Sequence, residues 1–422
     1  MSEYLALSSH DSERRDRDMN DRFGNATGTA SSTAARHYDR AVDAHLHAWP
    51  GVLEALDAAI AAAPDFALPH ALTALTHFGR GQRSQAQHAI TSAQACSTTA
   101  PSVVSSHVGV MTSIVGGRPR DALVQVIEHA RLHPTDALTA STALGAYGLF
   151  AFSGRADHDA ARLAFTEALA PHYPEDFPWL LAYRGWARIE AGRVDEGLAM
   201  ARHAISLRPA NGHNAHILLH GLYEAGEPSA CLAFVKDWLP SYPGDALLWG
   251  HLHWHAALAE LELQQTDAAV ARLVGPIMEY LPCGTPFMGL ADVASLLWRL
   301  GLRNVPVLPW TTAQDHAERH FPNGSNVFGE LHLTMVAAAC SERGALVAAF
   351  ERLRTTSEKG HEGAAVAMRW TEALIKLLDG DSESAREHLD YCQATAVRLG
   401  GSNAQRSVVS ETRQTLRVPV AL

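Results

Sequence analysis

From about Tyr38 onward, apolar residues recur at spacings of three and four, the interval that places side chains on one face of an α-helix. Glycine or proline breaks the pattern at short intervals, as turns between helices require. Almost nothing alternates with the period of two that a half-buried strand shows. Residues 1–35 have no apolar period and are crowded with Ser, Asp, Arg, Asn, Gly and Thr. The pattern predicts a disordered tail over residues 1–35 and an all-α domain over residues 36–420.

The helices repeat. Units 178–211 and 212–245 share a 34-residue period in which Gly192 returns as Gly226 and Pro209 as Pro243. Gly185, Gly192, Gly197, Ala204 and Pro209 occupy the small-residue and closing-proline positions of a tetratricopeptide unit. Gly81, Ala86 and Ala93 are answered 36 residues later by Gly117, Ala122 and His129, with Pro134 closing that unit. Ala161, Phe165 and Ala168, then Gly380, Ala385 and Leu389, carry the same signature. Small residues let paired helices approach, glycine turns the chain between them, and proline ends the second helix. The expected fold is a tetratricopeptide-like helical-hairpin solenoid. The stretch 275–325, rich in Pro and Gly, interrupts the rhythm and is expected to hold loops and short helices packed on the array.

Composition narrows the class. Of 422 residues, 47% are hydrophobic and only 7% aromatic, with alanine and leucine dominating, which suits close helix packing. The net charge of -11 comes without any Lys/Arg-rich block, which argues against nucleic acid and anionic membranes as partners. Five scattered cysteines contain no Cys-x-x-Cys pair, and no segment reads as a signal peptide or membrane span. A cytoplasmic protein is expected. The 24 histidines are the anomaly. Histidine titrates near neutrality and is the commonest metal ligand, although His88, His107, His129 and His203 read as ordinary, partly exposed helix residues.

Two histidine-rich segments carry a likeness to a known family. His213-Asn214-Ala215-His216-Ile217-Leu218-Leu219-His220 precedes Tyr223-Glu224-Ala225-Gly226, and His251-Leu252-His253-Trp254-His255 runs into Leu258-Ala259-Glu260-Leu261-Glu262. With Asp292–Leu300, Phe328–His332 and Leu399–Arg406, these segments resemble the tetratricopeptide repeat protein 38 family from about residue 40 to 417. The resemblance implies the fold and no named activity. Glu260 stands where that family has His, Glu330 where it has Asp, Asn403 where it has His, and Ser407 where it has Asp. Two proton-carrying groups near the C-terminus are thereby missing.

At 100° per residue, His213, His216, His220 and Glu224 form one stripe with Tyr223 at its edge. The repeat register puts them on the first helix of their unit, at positions that face a ligand in tetratricopeptide grooves. On the next first helix His251, His255 and Glu262 share a face bordered by Trp254. Histidines four apart can bind one zinc or another divalent first-row metal, with Glu224 or Asp292 completing the shell. Metal-free, His220 and His255 can exchange protons with a substrate. A purely structural histidine layer is the third reading. Asp292 lies in an apolar helix, either partnered in the core or capping it after Gly289. His332 is favoured over Glu330 to reach the site, and Arg406 is a candidate for a substrate carboxylate or a structural pair. Walker, G-x-G-x-x-G, G-x-S-x-G and H-E-x-x-H motifs are absent from the sequence. The leading expectation is a small-molecule pocket lined by these histidines, and the alternative is a scaffold holding a peptide in the concave groove.

Overall fold

The computed structural model describes residues 19–416, and among these no β-strand forms beyond one isolated bridge between Asn20 and Ala26. The protein is an all-α, tetratricopeptide-type helical repeat. Contacts divide it into two compact units, the first ending at Thr142 and the second beginning at Ala143. The continuous array read from the sequence is thus interrupted. Beyond Ser141 the chain enters a run of tight turns through Gly145 and Gly148, where no hairpin helix forms. A Cβ on Gly148 would lie 2.2 Å from the Leu144 carbonyl oxygen, which shows how closely the backbone folds on itself there.

The first unit holds three hairpins, α1 (Ser32–Leu46) with α2 (Val52–Ala62), α3 (Ala67–Gly79) with α4 (Arg83–Cys96), and α5 (Ser102–Val115) with α6 (Pro119–Leu132). A short α7 (Ala137–Ser141) follows. Of the expected tail, residues 1–18 lie outside the described residues, whereas residues 19–31 are held by polar contacts. Asp21 accepts the backbone N–H groups of Phe23 and Asn25, and Asn25 exchanges hydrogen bonds with Thr135. Such side-chain turns need no apolar period, which is why the sequence pattern did not register them. His107 and His129, read as partly exposed, are instead buried on either side of Asp136, at 2.7 and 3.0 Å.

The second unit begins with α8 (His158–Leu169). It continues through α9 (Pro178–Glu190), α10 (Val194–Leu207), α11 (Gly212–Glu224), α12 (Pro228–Trp238), α13 (Trp249–Glu262) and α14 (Thr266–Arg272). After a single turn at Met278–Tyr280 come α15 (Pro286–Leu302), α16 (Trp310–His320), α17 (Val327–Ala339), α18 (Arg343–Glu358), α19 (Glu362–Leu378), α20 (Ser382–Thr395) and α21 (Asn403–Thr415). Helices α9, α11, α13, α15, α17 and α19 pack side by side as an inner layer, each backed by the helix that follows it. The stretch expected to hold loops and short helices contains α15 and α16, with irregular segments before, between and after them. Its inner helix is apolar nearly all round, which fits burial on every side. Gly185 and Gly197 face each other across α9 and α10; a Cβ on Gly197 would stand 2.5 Å from the Gly185 carbonyl oxygen.

Within this unit the two ends of the array meet. Val397 and Gly154 carbonyls accept hydrogen bonds from His158 and Arg398, and Gln405 donates to the Tyr147 hydroxyl at 2.8 Å. Tyr147, Phe152, Phe287 and Phe328 close the seam with ring centroids 5.4 to 6.1 Å apart. The last helix, α21, lies against α11 and α15 of the inner layer. Trp298 donates to Thr412 at 2.8 Å, and Arg299 binds both the Ala404 carbonyl and Glu411.

Candidate functional site

Asn211 caps α11 by accepting the N–H of Asn214 at 3.0 Å, which sets the rotation of the helix from its first turn. His216 and His220 then project from one face, and His251 and His255 project toward them from α13. The four rings are buried, with exposures of 9%, 0%, 1% and 2%. Each offers one nitrogen, and the four nitrogens all lie within 4.8 Å of one another. His216 Nε2 stands 2.8 Å from His220 Nε2 and 2.9 Å from His251 Nε2. Nitrogens bound tetrahedrally to one zinc would be roughly 3.4 Å apart, given a Zn–N bond near 2.05 Å. The observed separations need only small side-chain adjustments to reach that arrangement.

Burial holds His216, His220 and His255 well below the ordinary histidine range, and the neighbouring histidines push the same way. All three are neutral at physiological pH and present lone pairs, the form a metal needs. His255 Nε2 has no hydrogen-bond partner, nor does His220 Nδ1. The rings are wedged in place by tryptophans. Trp186 meets His220 edge-on at 4.4 Å, and Trp254 stacks on His251 at 5.3 Å while donating to Ser295.

Carboxylates stand behind the histidines. Asp292 accepts from His251 Nδ1 at 2.8 Å, the second-sphere partnership that fixes a ligand's tautomer and raises its basicity. Asp292 lies inside α15, whose N-cap is Thr285, so the capping alternative does not apply. Its buried carboxyl is raised from the usual range by desolvation, opposed by His251. Glu190, buried at the end of α9, has Oε1 4.0 Å from His220 Nδ1. Arg406 reaches from α21 to Glu190 at 3.6 Å and Asp159 at 3.8 Å, and donates to the Gly401 carbonyl at 2.6 Å. Arg162 pairs with Asp159 and lies over the Trp186 ring. Glu224, one turn beyond His220, also faces Arg406 and Asn403, and burial beside Glu190 raises its carboxyl to about 7.

The sequence-derived candidates divide clearly. His216, His220, His251 and His255 converge, with Asp292 and Trp254 against His251 and Arg406 beyond Glu190, while Glu224 faces Glu190, Arg406 and Asn403. His213 is half-buried against Tyr183 at 6.1 Å, outside the four-histidine group. Tyr223 turns to Ser407, to which its hydroxyl donates at 3.1 Å. Glu262 is exposed, a correction to its placement in the site. It shares the angular face of His255 but sits about 10 Å farther along the axis, at 1.5 Å per residue. His332 is also corrected. It is buried, but its Nδ1 donates to the Phe328 carbonyl within α17, and it stands outside the four-histidine group. Glu330 pairs with Arg352. Glu190, Trp186, Asp159 and Arg162 were not singled out beforehand. Glu190 had a signal, because it precedes Glu224 by one repeat period.

No family model matches the chain. The likeness to the tetratricopeptide repeat protein 38 family is therefore supported only as far as the helical repeat. Among solved structures, the human IFIT1 dimer with PPP-AAAA aligns with a TM-score of 0.43 at 14% identity, over 82% of this chain and 80% of that one. The Naa15/Naa10 complex bound to HypK-THB aligns with a TM-score of 0.22 at 11% identity, over 86% of this chain and 63% of that one. These likenesses concern the course of the helices and carry nothing about a ligand. The exclusion of nucleic acid drawn from net charge gains no support from them. No described helix is long and apolar enough to cross a membrane.

Proposed function

We propose that the second unit binds one divalent first-row metal ion, zinc in the first instance, through His216, His220, His251 and His255, and acts with it on a small molecule. The observation that carries this reading is the convergence of four buried imidazoles on two adjacent inner helices, with His255 Nε2 unpartnered. Local charge supports it. The Asp292 carboxyl accepts from His251 Nδ1, and Glu190 stands 4.0 Å from His220 Nδ1, so two ligating rings are backed by acidic partners that favour a bound cation. In this reading His220 and His255 serve as ligands. As free bases they would be weak, because burial keeps them far below neutrality.

The peptide-scaffold reading stands second, since α21 lies against the inner-layer helices that would otherwise receive a peptide. Likeness to the tetratricopeptide repeat protein 38 family adds no activity to either reading. Elemental analysis of the purified full chain is expected to find about one zinc, cobalt, iron or nickel ion per chain after reconstitution, lost in His216→Ala and His255→Ala. An untargeted metabolite screen on the loaded protein then seeks the small molecule. A folded chain that takes up none of these metals defeats the proposal.

A further inference from the structure

Away from the histidines, three consecutive inner helices end in the same turn. Asn304, Ser341 and Gly380 follow α15, α17 and α19 with φ of 58°, 58° and 76°. Their N–H groups donate back to the carbonyls of Gly301, Ala338 and Leu377. The next N–H groups, of Val305, Glu342 and Asp381, donate to Leu300, Ala337 and Lys376. This left-handed close satisfies two carbonyls at each helix end. The last carbonyl of each helix, at Leu302, Ala339 and Leu378, accepts no hydrogen bond from any described residue.

Leu302, Ala339 and Leu378 all line one cleft of about 440 Å³, a volume in the range of small-molecule sites. The rest of its wall is largely apolar and includes Trp298, Leu308, Trp310 and Leu374, and none of the described lining residues is charged. The two indoles meet edge-on with ring centroids 6.4 Å apart. Aligned peptide units leave a partial negative charge at each helix C-terminus, and three such ends border the cleft. One helix start opposes them, that of α16 at Trp310. The balance at the rim is negative, in a site whose walls are apolar.

We propose that this cleft binds an amphipathic organic amine, with the apolar body between the indoles and the leucines and the ammonium at the helix ends. An ammonium has N–H donors and no acceptor, which suits a rim of free carbonyls, and indole faces attract cations further. A carboxylate on the same body would set lone pairs against lone pairs. A wholly apolar occupant would take water from the carbonyls and return no donor. The proposal requires no metal and does not depend on the histidine cluster.

The test is equilibrium dialysis of the metal-free full chain against decylamine, decan-1-ol and decanoate, each below its micelle concentration and near neutral pH. Salt at about 0.3 M screens the net charge of -11, so that the contrast reports the site. Wild type is expected to bind about one equivalent of decylamine, at least about tenfold more tightly than decanoate, with decan-1-ol between them. Gly301 lies in the wall, where an added Cβ would meet only Leu308 Cδ1, at 3.9 Å. Gly301→Leu therefore fills the cleft without a clash and with a better helix former, and is expected to weaken decylamine binding at least about tenfold. If circular dichroism shows that this variant does not fold, Ala339→Phe, at an exposed lining position, decides in the same way. Decanoate or decan-1-ol binding as tightly as decylamine overturns the proposal. So does undiminished decylamine binding in the filled variant, or no binding to wild type at about 1 mM.

Discussion

Replacing Asp292 by Asn separates a metal-supporting residue from one that merely holds helices together. The amide oxygen can still accept from His251 Nδ1, so the tautomer and the fold survive while the charge is lost. Loss of a carboxylate behind a ligating histidine typically weakens metal binding 10- to 100-fold, or about 1.4 to 2.7 kcal/mol. The metal-free protein should respond in the opposite sense. The Asp292 carboxyl is raised by burial, so the native state holds its proton more tightly than the unfolded chain does. Its contribution is fully present below the ordinary carboxylate value and lost as pH rises through the raised one, leaving an unfavourable buried charge at neutrality. Asp292→Asn is therefore expected to melt at or above the wild-type temperature without metal, yet to bind zinc more weakly. Chelator competition with Zn²⁺, run beside thermal melts of the apo proteins, measures both. Unchanged zinc affinity, or an apo variant that melts well below wild type, would refute the reasoning and make Asp292 a structural tie.

Three further outcomes follow from the geometry. Because His216, His220 and His255 are held below the usual histidine value, the unfolded state takes up more protons. These histidines lower apo stability as pH drops below about 6.5, so His255→Gln should destabilise less, relative to wild type, at about pH 5 than at about pH 6.5 in urea unfolding, and a difference that does not change with pH would contradict its burial. Gly401→Ala places a Cβ 2.4 Å from the Phe328 ring at a φ of 72°. A loss of about 2–4 kcal/mol is expected in thermal or denaturant melts, against no change if the seam is loose. Glu262→Gln should leave metal content and pH behaviour untouched, since that side chain is exposed; reduced metal uptake would reinstate it in the site.

The histidine stripes were legible because a helix converts spacing into direction. Residues 216, 220, 251 and 255 could be assigned to facing surfaces before any coordinates. The same wheel misplaced Glu262, because it records angle and ignores distance along the axis. Glu190 was within reach of the repeat register, one period before Glu224, but a glutamate in Trp186-Ala187-Arg188-Ile189-Glu190 looks like an ordinary solvated helix end. Asp159, Arg162 and the grip of Arg406 on Glu190 depend on the ends of the second unit meeting. Those partners lie far apart in the chain, and no local pattern encodes their encounter. The helix inside 275–325 was obscured by prolines that in fact stand at its first turn or outside it on both sides.

The meeting of the two ends changes how the second unit can evolve and how it can come apart. An open array is modular, because repeats can be added or shed and stability accumulates from neighbour to neighbour. Here residues 145–158 and 397–405 are stitched together, and α21 rests on the inner layer. Inserting one more hairpin would prise the seam apart, which ties the number of repeats to the integrity of the interior. Fraying from either end is also suppressed, since neither end is free. The unit should lose its structure as a whole, and its histidine interior should open to solvent only when the ring does.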